Sequence, residues 1–144
     1  MGYLIDTCIW IDVERGSLGP ADVAAVTGSE LVYLSPVTIA ELKFGAENTE
    51  DAGVRQKRLA ALARLKHKPL LTIDETTGEI FGDLASKLGR NGQGHRYRVQ
   101  DLWLASQAIQ YSFFFLTHNR KDFADIPGLN LVIFSEAVKH EQDL

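Results

Sequence analysis

Five short runs of apolar residues limit how this chain can fold: 3–5, 31–34, 70–73, 113–116 and 131–134. None alternates strictly between apolar and polar, so each reads as a strand buried on both faces. Between them lie segments with helical signatures at 8–14, 37–44, 54–66, 77–88 and 101–111; the third carries Leu59, Leu62 and Leu65 on one helix face. Gly45 and Gly89 mark two expected helix ends. Buried strands alternating with helices predict an α/β fold, with helices on both faces of a mostly parallel sheet. Such sheets bind ligands past the carboxyl ends of their strands, so chemistry is to be sought there.

The length of 144 residues suits one domain, 1–144, with a core that needs no covalent or metal staple. A single cysteine, Cys8, excludes an intrachain disulfide and a cysteine-cluster zinc site. No apolar run approaches the ~20 residues of a membrane span. The amino terminus lacks a charged leader region, and Asp6 interrupts its apolar run. Asp6 also stands where a myristoylation signal wants Ser or Thr. The expectation is a soluble cytoplasmic protein without a membrane partner. The net charge of −4 is unevenly spread: residues 1–54 hold nine acids and two bases, whereas 55–70 hold six bases and no acid. A basic block can meet a polyanion locally. Here Lys57, Arg64 and Lys68 lie opposite the leucines, as on any solvated helix. Arg96 and Arg98, just before Asp101, are better placed to hold a phosphate.

Four acids compete between structural and chemical readings. Asp6 directly follows the first strand, where it either caps the next helix or lines the sheet edge. Glu41 fits a capping box with Thr38, but Pro36 suits the first helical turn and moves the cap to Ser35. Glu41 then lies inside a helix beside Val37, Phe44 and Gly45, where a carboxylate is costly without a partner. Asp101 either complements a helix dipole or ends a packed face with Ala105 and Ala108. Asn119 and Asp122, after the fourth strand, serve equally as turn residue and cap. Their joint placement at one sheet edge is more telling than any one of them. Converging carboxylates repel, and a hard divalent cation with oxygen ligands, Mg²⁺ or Mn²⁺, resolves the conflict. The histidines at 67, 95, 118 and 140 share no ligand spacing, and no Gly-rich phosphate loop is present. Ser35 and Thr117 read as groups that orient carboxylates or water, since no Ser–His–Asp arrangement is visible.

The stretches Leu4-Ile5-Asp6-Thr7, Leu34-Ser35-Pro36-Val37-Thr38-Ile39-Ala40-Glu41-Leu42, Asp101-Leu102-Trp103-Leu104-Ala105 and Thr117-His118-Asn119-Arg120-Lys121-Asp122-Phe123 carry a resemblance. Together they resemble the PIN-domain ribonucleases, in particular the VapC-type toxins of bacterial toxin–antitoxin pairs. The resemblance implies a three-layer α/β/α sandwich and an endoribonuclease site dependent on Mg²⁺ or Mn²⁺. It also implies a homodimer and an antitoxin partner. Its acids map onto Asp6, Glu41 and Asp101, with Asp6 and Asp101 as metal ligands and Thr7, Ser35, Thr117 and Asn119 in support. Asn119 stands two residues after Thr117, in place of an acid, so Asp122 is the candidate for the fourth. The apolar residues 8–11 beside Asp6 add an expectation of dimer contacts through helices near the amino terminus. An acidic cleft further calls for an antitoxin segment that presents Arg or Lys to Asp6, Glu41 or Asp101.

Two other functions compete. A phosphoacceptor signalling domain of flavodoxin type would use Asp74, with Thr117 and Lys121 downstream, but wants paired acids where this chain has Asp6-Thr7. A non-catalytic binding module would keep the fold, yet has no reason to retain mutually repulsive carboxylates.

Overall fold

The computed structural model describes residues 1–92 and 98–142. Its elements run β1 (Tyr3–Ile5), α1 (Thr7–Arg15), α2 (Pro20–Thr27), β2 (Val32–Tyr33), α3 (Pro36–Glu47), α4 (Ala52–Leu65), α5 (Glu75–Arg90), α6 (Val99–Gln110), β3 (Phe114–Thr117), α7 (Arg120–Phe123), β4 (Asn130–Ile133) and α8 (Phe134–Gln142). The strands form one sheet in the order β2-β1-β3-β4, and every described pairing is parallel.

Successive strand residues point to opposite faces, and the sheet divides its side chains accordingly. Leu4, Phe115 and Leu131 pack with Leu84, Leu88, Leu102, Ala105 and Ala108 of α5 and α6. Tyr3, Ile5, Phe114, Leu116 and Val132 pack with Ile9, Trp10, Val23 and Phe134 of α1, α2 and α8. A strand buried on both faces must be apolar at every position, which is why these runs do not alternate. The expected three layers are present, and no helix among the described residues is long and apolar enough to cross a membrane.

The structure corrects several expected elements. Residues 70–73 are not a further strand: their one described strand pairing is the isolated Leu34–Leu70 bridge, and Leu71 packs into the core with Leu4 and Phe115. The Leu71 and Thr72 carbonyls accept instead from Gln107 Nε2, at 2.9 and 3.4 Å. With those acceptors taken by a side chain, no ladder continues. Helix α3 does not stop at Gly45 but runs to Glu47, where the Asn48 N–H bonds the Phe44 carbonyl at 2.9 Å. The Gly45 carbonyl is occupied by Arg58 Nη1 of α4 at 2.9 Å. Of residues 8–11, Ile9 and Trp10 are buried in this chain's own core, whereas Cys8 and Ile11 are half-buried. Helix α2 went unseen in the sequence, although Pro20 opens it and Asp22 Oδ2 accepts the Gly19 N–H.

Gln107 is the polar hub between α6 and the strand-like segment. It is fully buried, and its Oε1 also accepts from the Ser35 hydroxyl. Gln107→Ala would leave that hydroxyl and two carbonyls short of partners. The expected loss is about 3 kcal/mol of unfolding free energy, seen as a lower urea midpoint at unchanged slope.

Candidate active site

The parallel register aligns Ile5 with Leu116, so the residues that follow them, Asp6 and Thr117, emerge side by side. The Asp6 N–H continues the ladder to the Leu116 carbonyl at 2.8 Å. Asp6 stands at the cap position of α1, but its side chain makes no capping bond. Its Oδ2 instead accepts from Thr117 Oγ1 at 2.7 Å and from Cys8 Sγ at 3.3 Å. Thr117 Oγ1 in turn accepts the Asn119 N–H at 3.0 Å, which orients its single proton toward Asp6. Burial and the Asp6 charge push the Cys8 thiol up to about 12, so it remains a donor rather than a soft thiolate ligand.

Glu41 comes in from α3. Ser35 caps that helix by accepting the Val37 N–H at 3.1 Å, which bears out the cap that Pro36 suggested and leaves Glu41 in the helix body. Thr7 Oγ1 donates to Glu41 Oε1 at 2.9 Å and lies 3.0 Å from Thr38 Oγ1. Burial raises the Glu41 carboxyl above its ordinary range, the Thr7 hydrogen bond partly offsets this, and the Asp6 charge adds to it.

Asp101 enters from the first turn of α6. Its carboxyl is pushed up to about 6, first by burial, then by the charges of Asp6, Asp122 and Glu41, with Arg98 opposing. One group thus feels all three of the other candidate acids. Among the described residues, no three acids, histidines or cysteines close a metal shell by themselves. An oxygen-only donor set that leaves room for water suits Mg²⁺ or Mn²⁺, which retain several waters beside one or two carboxylates. Among the described residues Asp6 Oδ1 accepts no hydrogen bond, which leaves that oxygen free for a cation.

A family model described as "PIN domain" matches residues 3–129. The chain belongs to the PIN-domain family. It is 31% identical over 143 residues to ribonuclease VapC1 of Rickettsia felis, covering 94% of this chain and 98% of that one. It is 29% identical over 133 residues to ribonuclease VapC of Rickettsia bellii, covering 92% and 96%. Its fold matches VapBC-5 from Mycobacterium tuberculosis, a member of the VapBC family of toxin-antitoxin systems. That match has a TM-score of 0.71 and 26% identity, covering 92% of this chain and 96% of that one.

The remaining candidates sort unequally around this PIN-domain site. Thr7 donates to Glu41 and Thr117 to Asp6. Ser35 instead is fully buried, caps α3 and donates to Gln107. Asn119 contributes its backbone N–H, and its side chain makes no capping bond to α7. Asp122 sits exposed on α7, close enough to raise Asp101. Arg98, expected to hold a phosphate, is engaged by Asp125 through both arms of its guanidinium. Arg96 lies outside the described residues. Asp74, the acid of the phosphoacceptor reading, is a helix cap: its Oδ1 accepts from the Thr77 N–H and from Gln110 Nε2. His118 Nε2 lies 2.8 Å from Asp12 and is not a candidate ligand. Sequence reasoning missed the Cys8 bond to Asp6 and the hub at Gln107. A glutamine on an otherwise apolar helix face was the only signal for either.

A carboxyl raised in the folded state binds protons that the unfolded chain has released. Its contribution to stability is therefore present below the ordinary value of 3.8 and lost as pH rises through about 6. At neutral pH this costs about 2 kcal/mol after solvent screening, against about 0.5 kcal/mol returned by the helix dipole. Asp101→Asn should therefore raise the melting temperature in EDTA at pH 7.5, and the gain should shrink toward zero near about pH 4.

Proposed function

We propose that this chain is a divalent-metal-dependent endoribonuclease, the toxin of a cytoplasmic toxin–antitoxin pair, acting as a single domain over 1–144. The observation that carries this reading is the convergence of Asp6, Glu41 and Asp101 at the carboxyl ends of β1 and β3. Each is supplied by a different element, and the half-buried Asp101 is destabilised by the other two. A folded protein that retains such repulsion has a use for a cation. The chain's ribonuclease relatives match along almost its whole length and support the same reading.

Asp6 and Asp101 would hold the cation, with Glu41 beside them and Asp122 at the rim. Bound there, Mg²⁺ or Mn²⁺ supplies Lewis acidity and activates water for hydrolysis of a phosphodiester. Thr117 and Cys8 fix Asp6 through one oxygen and thereby aim the other. Thr7 keeps Glu41 against the cleft instead of letting it swing to solvent. No side-chain base is required by this arrangement, consistent with the engagement of His118 by Asp12.

The antitoxin reading has a surface to go with it. A small apolar groove of about 80 Å³ lies between α1, α3 and α4, lined by Trp10, Leu42, Leu62 and Leu65, with Glu41 on its wall. A segment seated there can reach the acids with an arginine, whose fork matches carboxylates and keeps its charge. Inhibition by such a segment should weaken as Mg²⁺ or salt rises. A homodimer, which the resemblance implies, is tested by light scattering at micromolar concentration; a monomer overturns it.

Asp6→Asn, Glu41→Gln and Asp101→Asn are each expected to reduce RNA cleavage to background with the fold retained by circular dichroism. EDTA should abolish wild-type cleavage, and Mg²⁺ or Mn²⁺ should restore it. Thr117→Val, which removes only the hydroxyl bond to Asp6, should cost about tenfold in rate. Full activity in EDTA would overturn the metal reading, and full activity in any of the three acid variants would remove that residue from the site.

A further inference from the structure

Arg98 immediately precedes α6, and its carbonyl accepts the Leu102 N–H at 2.9 Å. Its side chain crosses to the turn after α7. There Nη1 and Nη2 donate to the two oxygens of Asp125, each at 2.8 Å. Nη2 also donates to the backbone carbonyl of Asp122. This fork fixes direction as well as distance, and both partners are largely shielded, with side-chain exposures of 19% for Arg98 and 24% for Asp125.

The two ends of this latch carry two of the acids. Asp101 follows Arg98 by three residues on the same rigid helix. Asp122 is the residue whose own carbonyl Arg98 grasps. On its other side, Phe123 is buried and packs against Phe115 with ring centroids 4.6 Å apart. The exposed Asp122 side chain makes no hydrogen bond among the described residues. The backbone on either side of it is held, which sets where its Cα stands and so the region its carboxylate can reach.

We infer that Arg98 is a positioning residue which, latched by Asp125, sets the spacing between Asp122 and Asp101 and so the affinity of that part of the site for a divalent cation. The inference rests on the metal-dependent reading above. Its guanidinium also places a positive charge among the acids, where it opposes the rise in the Asp101 carboxyl. With three of its five N–H donors engaged by Asp125 and the Asp122 carbonyl, Arg98 is placed to act through the acids.

The test measures Mn²⁺ affinity by calorimetry and RNA cleavage kinetics for the full chain and its variants. Arg98→Gln and Asp125→Ala are each expected to weaken Mn²⁺ binding by about tenfold and to lower kcat, with KM for RNA changed by less than about twofold. In an Asp122→Asn background, Arg98→Gln should weaken Mn²⁺ binding no further, because the group it positions is gone. If Arg98→Gln does not fold, Asp125→Ala carries the same comparison in both backgrounds. A raised KM at unchanged Mn²⁺ affinity would overturn the inference in favour of direct RNA contact. Equal losses with and without the Asp122 carboxylate would overturn it in favour of a purely structural latch. Wild-type protein that binds Mn²⁺ and cleaves RNA, matched by both variants, overturns this inference alone. Wild-type protein that binds no Mn²⁺ overturns the metal reading and this inference together.

Discussion

The pairing of β1 with β3 is the contact on which the site depends. Residues 3–5 and 114–117 are more than a hundred positions apart, yet their parallel register sets Asp6 beside Thr117 at one sheet edge. The 2.7 Å bond from Thr117 to Asp6 follows from that register. A slip of one residue would turn every strand side chain to the opposite face. It would also take Thr117 away from Asp6. The two core layers, packed from opposite sides, make such a slip prohibitively costly, so the same burial that stabilises the fold also holds the catalytic geometry.

Set against this is the electrostatic cost of the site. Asp101 is half-buried and surrounded by like charge, and Glu41 is raised for the same two reasons, burial and Asp6. Each hydroxyl near them works against that cost in a specific direction. Thr7 favours the charged form of Glu41, while Thr117 and Cys8 both bond the same Asp6 oxygen, Oδ2. The thiol of Cys8 belongs to the same set. It contributes a weak S–H bond without becoming a competing ligand. The acids are thus individually oriented yet collectively repulsive, which is what a protein must build in advance if a cation is to be the last component to arrive.

The periphery of the site is organised by its cations and its groove. Arg98 ties the start of α6 to the turn beyond α7, joining the two backbones that carry Asp101 and Asp122. Arg58, from the basic block, does not lie idle on a solvated face. It bonds the Gly45 carbonyl and fixes α4 against α3, which shapes the apolar groove leading to Glu41. Glu41 and the groove share α3.

Much of this was legible in the sequence because it is written in local or repeating patterns. Continuous apolar runs identify doubly covered strands, Pro36 with Ser35 locates a helix start, and the acids at strand ends and in apolar helix faces stand out by their cost. Pattern failed where a side chain overrode the backbone's usual partner. Residues 70–73 look like a strand, but Gln107 takes their carbonyls. Gly45 looks like a helix end, but the helix runs on past it. The sequence by itself determined the α/β class and the helix-covered sheet, since periodicity is a local property. Only the tertiary structure decided that Thr117 and Cys8 serve Asp6, that Thr7 serves Glu41, and that Arg98 binds Asp125. Each of these, except the short-range bond from Cys8, joins residues tens of positions apart, and such partners are chosen by register and packing, which no local pattern encodes.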